Sequence, residues 1–360
     1  MPSLFFELIQ VALGNRASLS HTPTPEEWQR LFMLSKKQAL LGINYVAVEH
    51  LPKEQRPQRQ LLLQWCLAAE RIKERNAELN RKVIEISRKF HNDGFPNLIL
   101  KGQGIAQYYK ICNLEQYRTP GDVDLWFKGS REDIIDYVRK YNPKCHVVYH
   151  HVDFPDIDGV QIEIHFMPSW MNCYFTNKRL QHFFNDSKEF DLASYQLQTI
   201  PAPSIEFNRI YILIHIYRHL FHEGIGLRQV MDYYFVLMQG FSEEQRTETI
   251  RMIRLLHMTR FTAAIMWILK DVFGMEERHL LMSPSEKDGH LLLNEIMMAG
   301  NLGLHDTRLK RSLNESNFKY GLRKIKRNLK FTLSYPSEVL WSPVFKIWHY
   351  FWRKKTNSGK

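Results

Sequence analysis

Asp122 and Asp124 stand two residues apart in the alternating run GDVDLWF at 121–127. Successive side chains of a strand point to opposite faces. Both carboxylates therefore share a face with Trp126, while Val123, Leu125 and Phe127 anchor the other. A second alternating run, GVQIEIHF at 159–166, puts Val160, Ile162, Ile164 and Phe166 on a buried face and Gln161, Glu163 and His165 opposite. If the two strands are neighbours, Glu163 joins the aspartate pair. Three carboxylates on adjacent strands repel one another, and the arrangement is stable when a cation is held among them. Hard oxygen donors in that number suit Mg2+, which keeps several waters and is typically shared with substrate phosphates. Two such ions stabilise the attacking and leaving oxygens of an in-line displacement at phosphorus.

Upstream, the apolar run PNLIL at 96–100 reads as a buried strand that delivers the chain into Lys101-Gly102-Gln103-Gly104 and a helix through Tyr109. Backbone N–H groups at a helix start, approached closely over glycines, form a phosphate cradle. Lys101 adds a point charge to it, and Arg118 a bidentate one beside the carboxylate strand. Further on, His215, His219 and His222 recur at i, i+4 and i+7 of a helical pattern. They lack the glutamate of an HExxH motif and any nearby thiolate. His215 and His219 are thus expected to line the cleft or pack in the core, not to hold zinc. Arg228 and Asp232, at i, i+4 spacing, can pair with each other.

The elements that must position these groups follow from periodicity. Residues 1–90 read as helical. The stretch 25–49 opens on Thr24-Pro25-Glu26-Glu27, with capping-box spacing between Thr24 and Glu27. The stretch 60–90 carries apolar residues at helical spacing and ends at Asn92-Asp93-Gly94. Ser130 opens a helix with Ile134, Ile135 and Val138 on its apolar face. Residues 147–152 and 159–166 are strand candidates around a polar turn at 156–159. From Glu206 the chain is helical again, with one long stretch from Glu244 to about Phe273. The expectation is an α+β fold. A helical region spans 1–94, a small mixed-sheet core 95–200, a helical domain 201–305 and a basic, aromatic-rich tail 306–360.

Leu100-Lys101-Gly102, a helix ending at Tyr108-Tyr109, Arg118 shortly before Asp122-Val123-Asp124-Leu125, and Ile162-Glu163-Ile164-His165 together resemble the uncharacterised nucleotidyltransferase family of the polymerase-β-like superfamily. The segment from His215 to His219, then GIGLR at 224–228 and Asp232, is similar to that family's helical region. The resemblance covers most of the chain and is sharpest between 97 and 232. It implies a nucleotidyltransferase core flanked by helices, with Asp122, Asp124 and Glu163 as catalytic, metal-binding carboxylates for Mg2+ or Mn2+. Lys101, Gly102, Gly104, Arg118, His215 and His219 would contact the nucleotide. The implied reaction moves a nucleoside monophosphate from an NTP to an acceptor hydroxyl and releases pyrophosphate. Where the wider superfamily usually begins with Gly-Ser, this sequence has Lys101-Gly102-Gln103, so its grip on the triphosphate differs. Where the superfamily commonly has a third Asp, Glu163 reaches further.

Composition sets the outer bounds. The 360 residues are 44% hydrophobic and 13% aromatic, enough for a large core and against disorder. Four scattered cysteines without a CxxC pair fit a reducing compartment. The start lacks the basic n-region of a signal peptide, and there is no uncharged apolar run long enough to span a membrane. A cytoplasmic protein is expected. The formal charge is +11, and residues 306–360, with 14 Lys and Arg against 3 Asp and Glu, hold the whole excess. A neutral body argues for a small molecule or a protein as acceptor over nucleic acid. The tail, where basic residues run into Trp341, Phe345, Trp348, Phe351 and Trp352, suits an anionic membrane surface or RNA. Its more ordinary arrangement packs the Trp/Phe face on the body and leaves Lys and Arg solvated. Two other readings share these residues: a degenerate scaffold that binds nucleotide or protein, and an Asp-x-Asp glycosyltransferase using Mn2+. On carboxylate repulsion alone, Asp124→Asn is expected to abolish transfer and leave stability unchanged or raised.

Overall fold

A computed structural model of the chain describes residues 3–192, 199–310 and 315–357. Three helices, α1 (Ser3–Ala12), α2 (Pro25–Lys37) and α3 (Leu41–His50), precede the long α4 (Arg59–Asn92). Then come β1 (Asn97–Ile99), the one-turn α5 (Gln103–Ala106), β2 (Val123–Phe127), α6 (Arg131–Tyr141), β3 (His151–Ile157) and β4 (Val160–His165). Helices follow: α7 (Tyr174–Asp186), the short α8 (Glu189–Leu192), α9 (Ile205–His222), α10 (Leu227–Met238), α11 (Glu243–Leu255), α12 (Thr259–Asp271) and α13 (Glu286–Ala299). The tail contributes α14 (Asn317–Asn328) and α15 (Pro336–Asn357). The α+β class read from the sequence is the class observed.

The four strands form one mixed sheet in the order β1-β2-β4-β3, with β2 and β4 parallel and both outer pairs antiparallel. Val123, Leu125 and Phe127 pack with Ile162 and Ile164 beneath the sheet against Val83, Ile86 and Phe90 of α4 and Ile134 and Val138 of α6. On the other face Trp126, with Leu98 and Leu100, joins the large helical core around Phe184 and Phe207. Alternation along β2 therefore selects between two cores, and all five of its residues are buried.

Local chemistry explains most boundaries. The hydroxyls of Thr24, Ser130 and Ser204 accept the N–H groups of Glu27, Asp133 and Phe207, so each satisfies an orphan donor of its helix. The expected helix over 25–49 is two helices, because the chain turns at Ala39 with φ +55°. Beside that turn the buried Gln38 accepts from the Leu227 N–H at 2.9 Å and donates to the Ile296 carbonyl at 3.2 Å. The expected long helix from Glu244 breaks likewise at His257, φ +57°. The strand expected over 147–152 starts at His151, since Val148 N–H folds back onto the His151 carbonyl at 3.0 Å. That strand runs on to Ile157, and only Asp158 and Gly159, both with positive φ, turn it into β4.

Two of the contacts that dock the tail lie beside the sheet and α9. Arg327 Nη2 and Asn328 Nδ2 donate to the carbonyls of Leu220 and Phe221 at 2.8 and 2.9 Å, which satisfies acceptors in the last turn of α9. Both Glu338 oxygens accept the Asn172 N–H at 3.0 Å, pinning α15 to the segment after β4. The arrangement of apolar face inward and charge outward holds only in part. Phe345 is buried, but Leu340, Val344, Ile347 and Phe351 are 61, 53, 63 and 65% exposed. Among the described residues no helix is long and apolar enough to cross a membrane.

Candidate active site

The parallel pairing of β2 and β4 sets Asp124 directly opposite Glu163 and Trp126 opposite His165. On the far side β3 sets His151 opposite His165 and Asp153 opposite Glu163. One sheet face therefore gathers carboxylates and imidazoles by register alone. Asp122 comes just before β2 and is exposed at the mouth.

The carboxylates are met by basic side chains of the protein itself. Asp124 Oδ1 lies 2.8 Å from Lys101 Nζ and 2.9 Å from His165 Nε2. Glu163 Oε2 lies 3.4 Å from His165 Nε2 and 3.2 Å from His151 Nδ1. Burial pushes the Asp124 carboxyl up, but Lys101 and His165 outweigh it and hold the group well below the usual range. Glu163 is held down in the same way, by His165 against burial. Asp122 goes the other way: repulsion from Asp124, with burial second, raises it. Asp124 is thus a member of a buried ion cluster, and removing its charge strands Lys101. The expectation that Asp124→Asn spares stability is overturned by that pairing; it suits Asp122 instead.

Arg118 is buried and makes a two-pronged contact with Asp232, Nε at 2.7 Å and Nη2 at 2.9 Å, while Tyr109 O–H donates to the same carboxylate at 2.7 Å. The Arg228–Asp232 pair suggested by spacing is replaced by this contact. Arg228 donates to the Thr119 carbonyl at 3.2 Å and to Asn301 Oδ1 at 3.3 Å. Gly102 takes φ +52°, a conformation that side chains resist, and lines the cavity. Gly104 lies outside it. A Cβ there would meet the Ile99 carbonyl oxygen at 2.4 Å, so helix-to-strand packing accounts for this glycine. Gln103 turns away and donates to Asn80 Oδ1.

His215 and His219 line the cavity from α9, their ring centroids 4.3 Å apart. Burial holds both below the ordinary imidazole value, although His219 Nδ1 sits 2.6 Å from Glu223 Oε2. The cavity has a volume of about 670 Å3. Lys101, Asp122, Asp124 and Glu163 form its sheet side; His215, Arg218, His219 and Arg228 form its helical side; Lys324 and Lys346 of the tail close it. A larger groove of about 830 Å3, between α7 and α15, holds none of the carboxylates and is mostly apolar.

Sequence reasoning missed His150, His151 and Arg218 as cavity residues. Arg218 lies 3.9 Å over the Trp170 ring, with Nη1 3.3 Å from His150 Nε2. Arg218 lay inside the His215–His219 motif already singled out, which was a usable signal; His150 and His151 carried none. Asp124, Glu163 and His165 bring ligand atoms within 4.8 Å of one another, as do His151, Asp153 and Glu163. Asp122 borders the same cavity outside those clusters. Oxygen donors with an imidazole beside them suit Mg2+ or Mn2+. The Lys101 ammonium on Asp124 shows that positive charge is favoured at this spot.

Among curated proteins, none matches the chain. A family model described as an uncharacterised nucleotidyltransferase matches residues 24–274, a stretch holding all four described strands and Asp122, Asp124 and Glu163. The chain belongs to the uncharacterised nucleotidyltransferase family.

Proposed function

We propose that the chain is a metal-dependent nucleotidyltransferase that moves a nucleoside monophosphate from an NTP, such as ATP, to an acceptor hydroxyl. The observation that carries this reading is Asp124 facing Glu163 across parallel strands, with Asp122 beside them at the mouth of a cavity otherwise rich in cations. Asp122, Asp124 and Glu163 would hold Mg2+ or Mn2+, which when bound neutralises phosphate charge and aligns the reacting oxygens. Glu163 takes the acceptor's proton as its oxygen bonds to the α-phosphorus; the bond from that phosphorus to the bridging oxygen breaks, and pyrophosphate leaves. His215 and His219, kept neutral by burial, face the nucleoside between sheet and α9. Lys101 and Gly102 border the phosphates, and Arg118, held by Asp232, adds fixed positive potential. Gly104 keeps α5 against β1. The stretch 95–200 acts as the catalytic unit and the acceptor is a small molecule or a protein. Four unpaired cysteines are in keeping with work in the cytoplasm.

The test is calorimetric titration of each NTP with Mg2+ into the wild type and Asp122→Asn, followed by an assay for pyrophosphate release. Metal-dependent binding lost in the variant supports the site. Binding without release under any acceptor would favour the scaffold reading, and binding of nucleotide sugars alone the glycosyltransferase.

For the tail, an anionic membrane surface is favoured over RNA. Leu340, Val344, Ile347 and Phe351 repeat at i, i+4, i+7 and i+11, an exposed apolar stripe that ends beside Arg353, Lys354 and Lys355. RNA offers nothing to bury aliphatic side chains. Sedimentation with phosphatidylglycerol vesicles, weakened by Ile347→Ser/Phe351→Ser, tests this. Equal sedimentation with neutral phosphatidylcholine, or none, would refute it.

A further inference from the structure

The tail lies outside the family match, which ends at residue 274, yet it supplies a wall of the cavity. Lys324 comes from α14; Phe345, Lys346, His349 and Arg353 come from α15. Several other basic groups of the tail are matched. Arg308 meets Asp306 and Glu295, Lys330 meets Glu295, Arg323 meets Glu315, and Arg327 is spent on α9 carbonyls. The lysines on the cavity wall differ. Among the described residues, Lys346 Nζ is buried with no hydrogen-bond partner. Burial, then repulsion from Lys324 and Arg327, brings its pKa down to about 8. Lys324 has its ammonium 4.8 Å over the Tyr320 ring, with no ion pair among the described residues. On the α9 side, His222 is pushed down by burial and then by Arg218, with Lys346 and Lys324 also acting on it.

Like charges gathered in a cavity destabilise the empty fold unless an anion joins them. Their placement is not loose. Arg327 and Asn328 cap α9, and Glu338 pins the start of α15, so the lysines are held in position before any ligand arrives. The sheet wall opposite carries the carboxylates. An anion that reaches both walls must combine a metal-binding end with several further negative charges.

We infer that Lys324 and Lys346 grip the β- and γ-phosphates of the donor nucleotide, which makes α14 and α15 part of the donor site. This rests on the nucleotidyl-transfer reading and deepens it. The grip lies 223 and 245 residues along the chain from Lys101, on elements the family match does not include. It also accounts for Gln103 turning away from the cavity: the phosphates are held from the opposite side.

Inorganic triphosphate, with Mg2+, is a probe that carries no base. Titrated calorimetrically, it should bind the wild type and lose affinity about tenfold in Lys346→Met, with a further loss and a shallower salt dependence in Lys324→Met/Lys346→Met. AMP affinity should not change, and thermal melting of Lys346→Met should match or exceed the wild type, which a structural lysine would not allow. Competition by all bound NTPs is also expected. Unchanged triphosphate affinity in the double variant would overturn the inference while leaving the carboxylate site intact, provided Asp122→Asn still abolishes NTP binding. Orthophosphate bound through the lysines together with an NTP would also overturn it, assigning the lysines to an anionic acceptor. Triphosphate bound through the lysines with all four NTPs excluded would sink this inference and the transferase reading together.

Discussion

On the sheet side of the cavity, Asp124 and Glu163 already have partners: Lys101 and His165 on one, His165 and His151 on the other. On the tail side, among the described residues, the buried Lys346 Nζ has no hydrogen-bond partner and is repelled by Lys324 and Arg327. The same problem, charge in a place short of water, is met internally on one wall and left open on the other. Asp122 belongs in behaviour with the open wall, since its neighbour repels it. An unmatched charge reports on a ligand, whereas a matched one reports on the fold. Substitutions should therefore split by wall and by pairing, not by closeness to the reaction.

The largest effect is expected at Asp122. Asp122→Asn should cut pyrophosphate release by about a thousandfold or more, the several kcal/mol that metal-held charge supplies, with melting temperature unchanged or raised. Retained activity would break the comparison at its centre. Asp124→Asn should also destroy activity but lose about 3–5 kcal/mol of stability, because it leaves buried Lys101 and His165 without their carboxylate. Urea unfolding checks this, and wild-type stability would mean that Asp124 is as unmatched as Asp122.

Glu338 offers a pH test away from both walls. Burial raises its carboxyl from 4.5 to about 7, with Asn172 and Cys173 N–H groups opposing; the titratable Tyr217 hydroxyl is acted on by it. A raised carboxyl favours the neutral form in the folded chain. Its contribution is complete below about pH 4.5 and is lost as pH rises to about 7, some 3 kcal/mol in all. Glu338→Gln should flatten that part of the stability profile; an identical slope would show that Glu338 does not titrate there. The smallest effect is a gain. Lys346→Met should raise the melting temperature at pH 7 by about 1–2 °C, as relief of about 1 kcal/mol does in a chain of this size; a fall would show that Lys346 is matched.

Much of this was legible in residue order. The alternation of GDVDLWF and GVQIEIHF gave both strands and their faces, and the Ser and Thr caps gave helix starts. What stayed hidden was whatever depends on distant partners. The turns at Ala39 and His257 carry no glycine or proline; at Ala39 the neighbouring Gln38 bonds residues 189 and 258 positions away. Asp232 looked matched to Arg228 four residues before it, yet Arg118, 114 residues back, reaches it with better geometry. Lys101 read as a phosphate ligand, and only the parallel register placed Asp124 under it. The tail's contribution to the cavity had no local signal, because its charge pattern is that of any solvated helix.

The late position of α15 has a consequence in time. Lys346 leaves the ribosome 183 residues after Glu163, which at ordinary synthesis speeds of about 5–20 residues per second is an interval of roughly 10 to 40 s. During that interval a nascent chain can already pair β2 with β4 and set its carboxylates side by side. It still lacks the wall that would hold a triphosphate there. On the proposed reading, synthesis itself would delay activity: a growing or prematurely ended chain would sequester a divalent ion without consuming nucleotide.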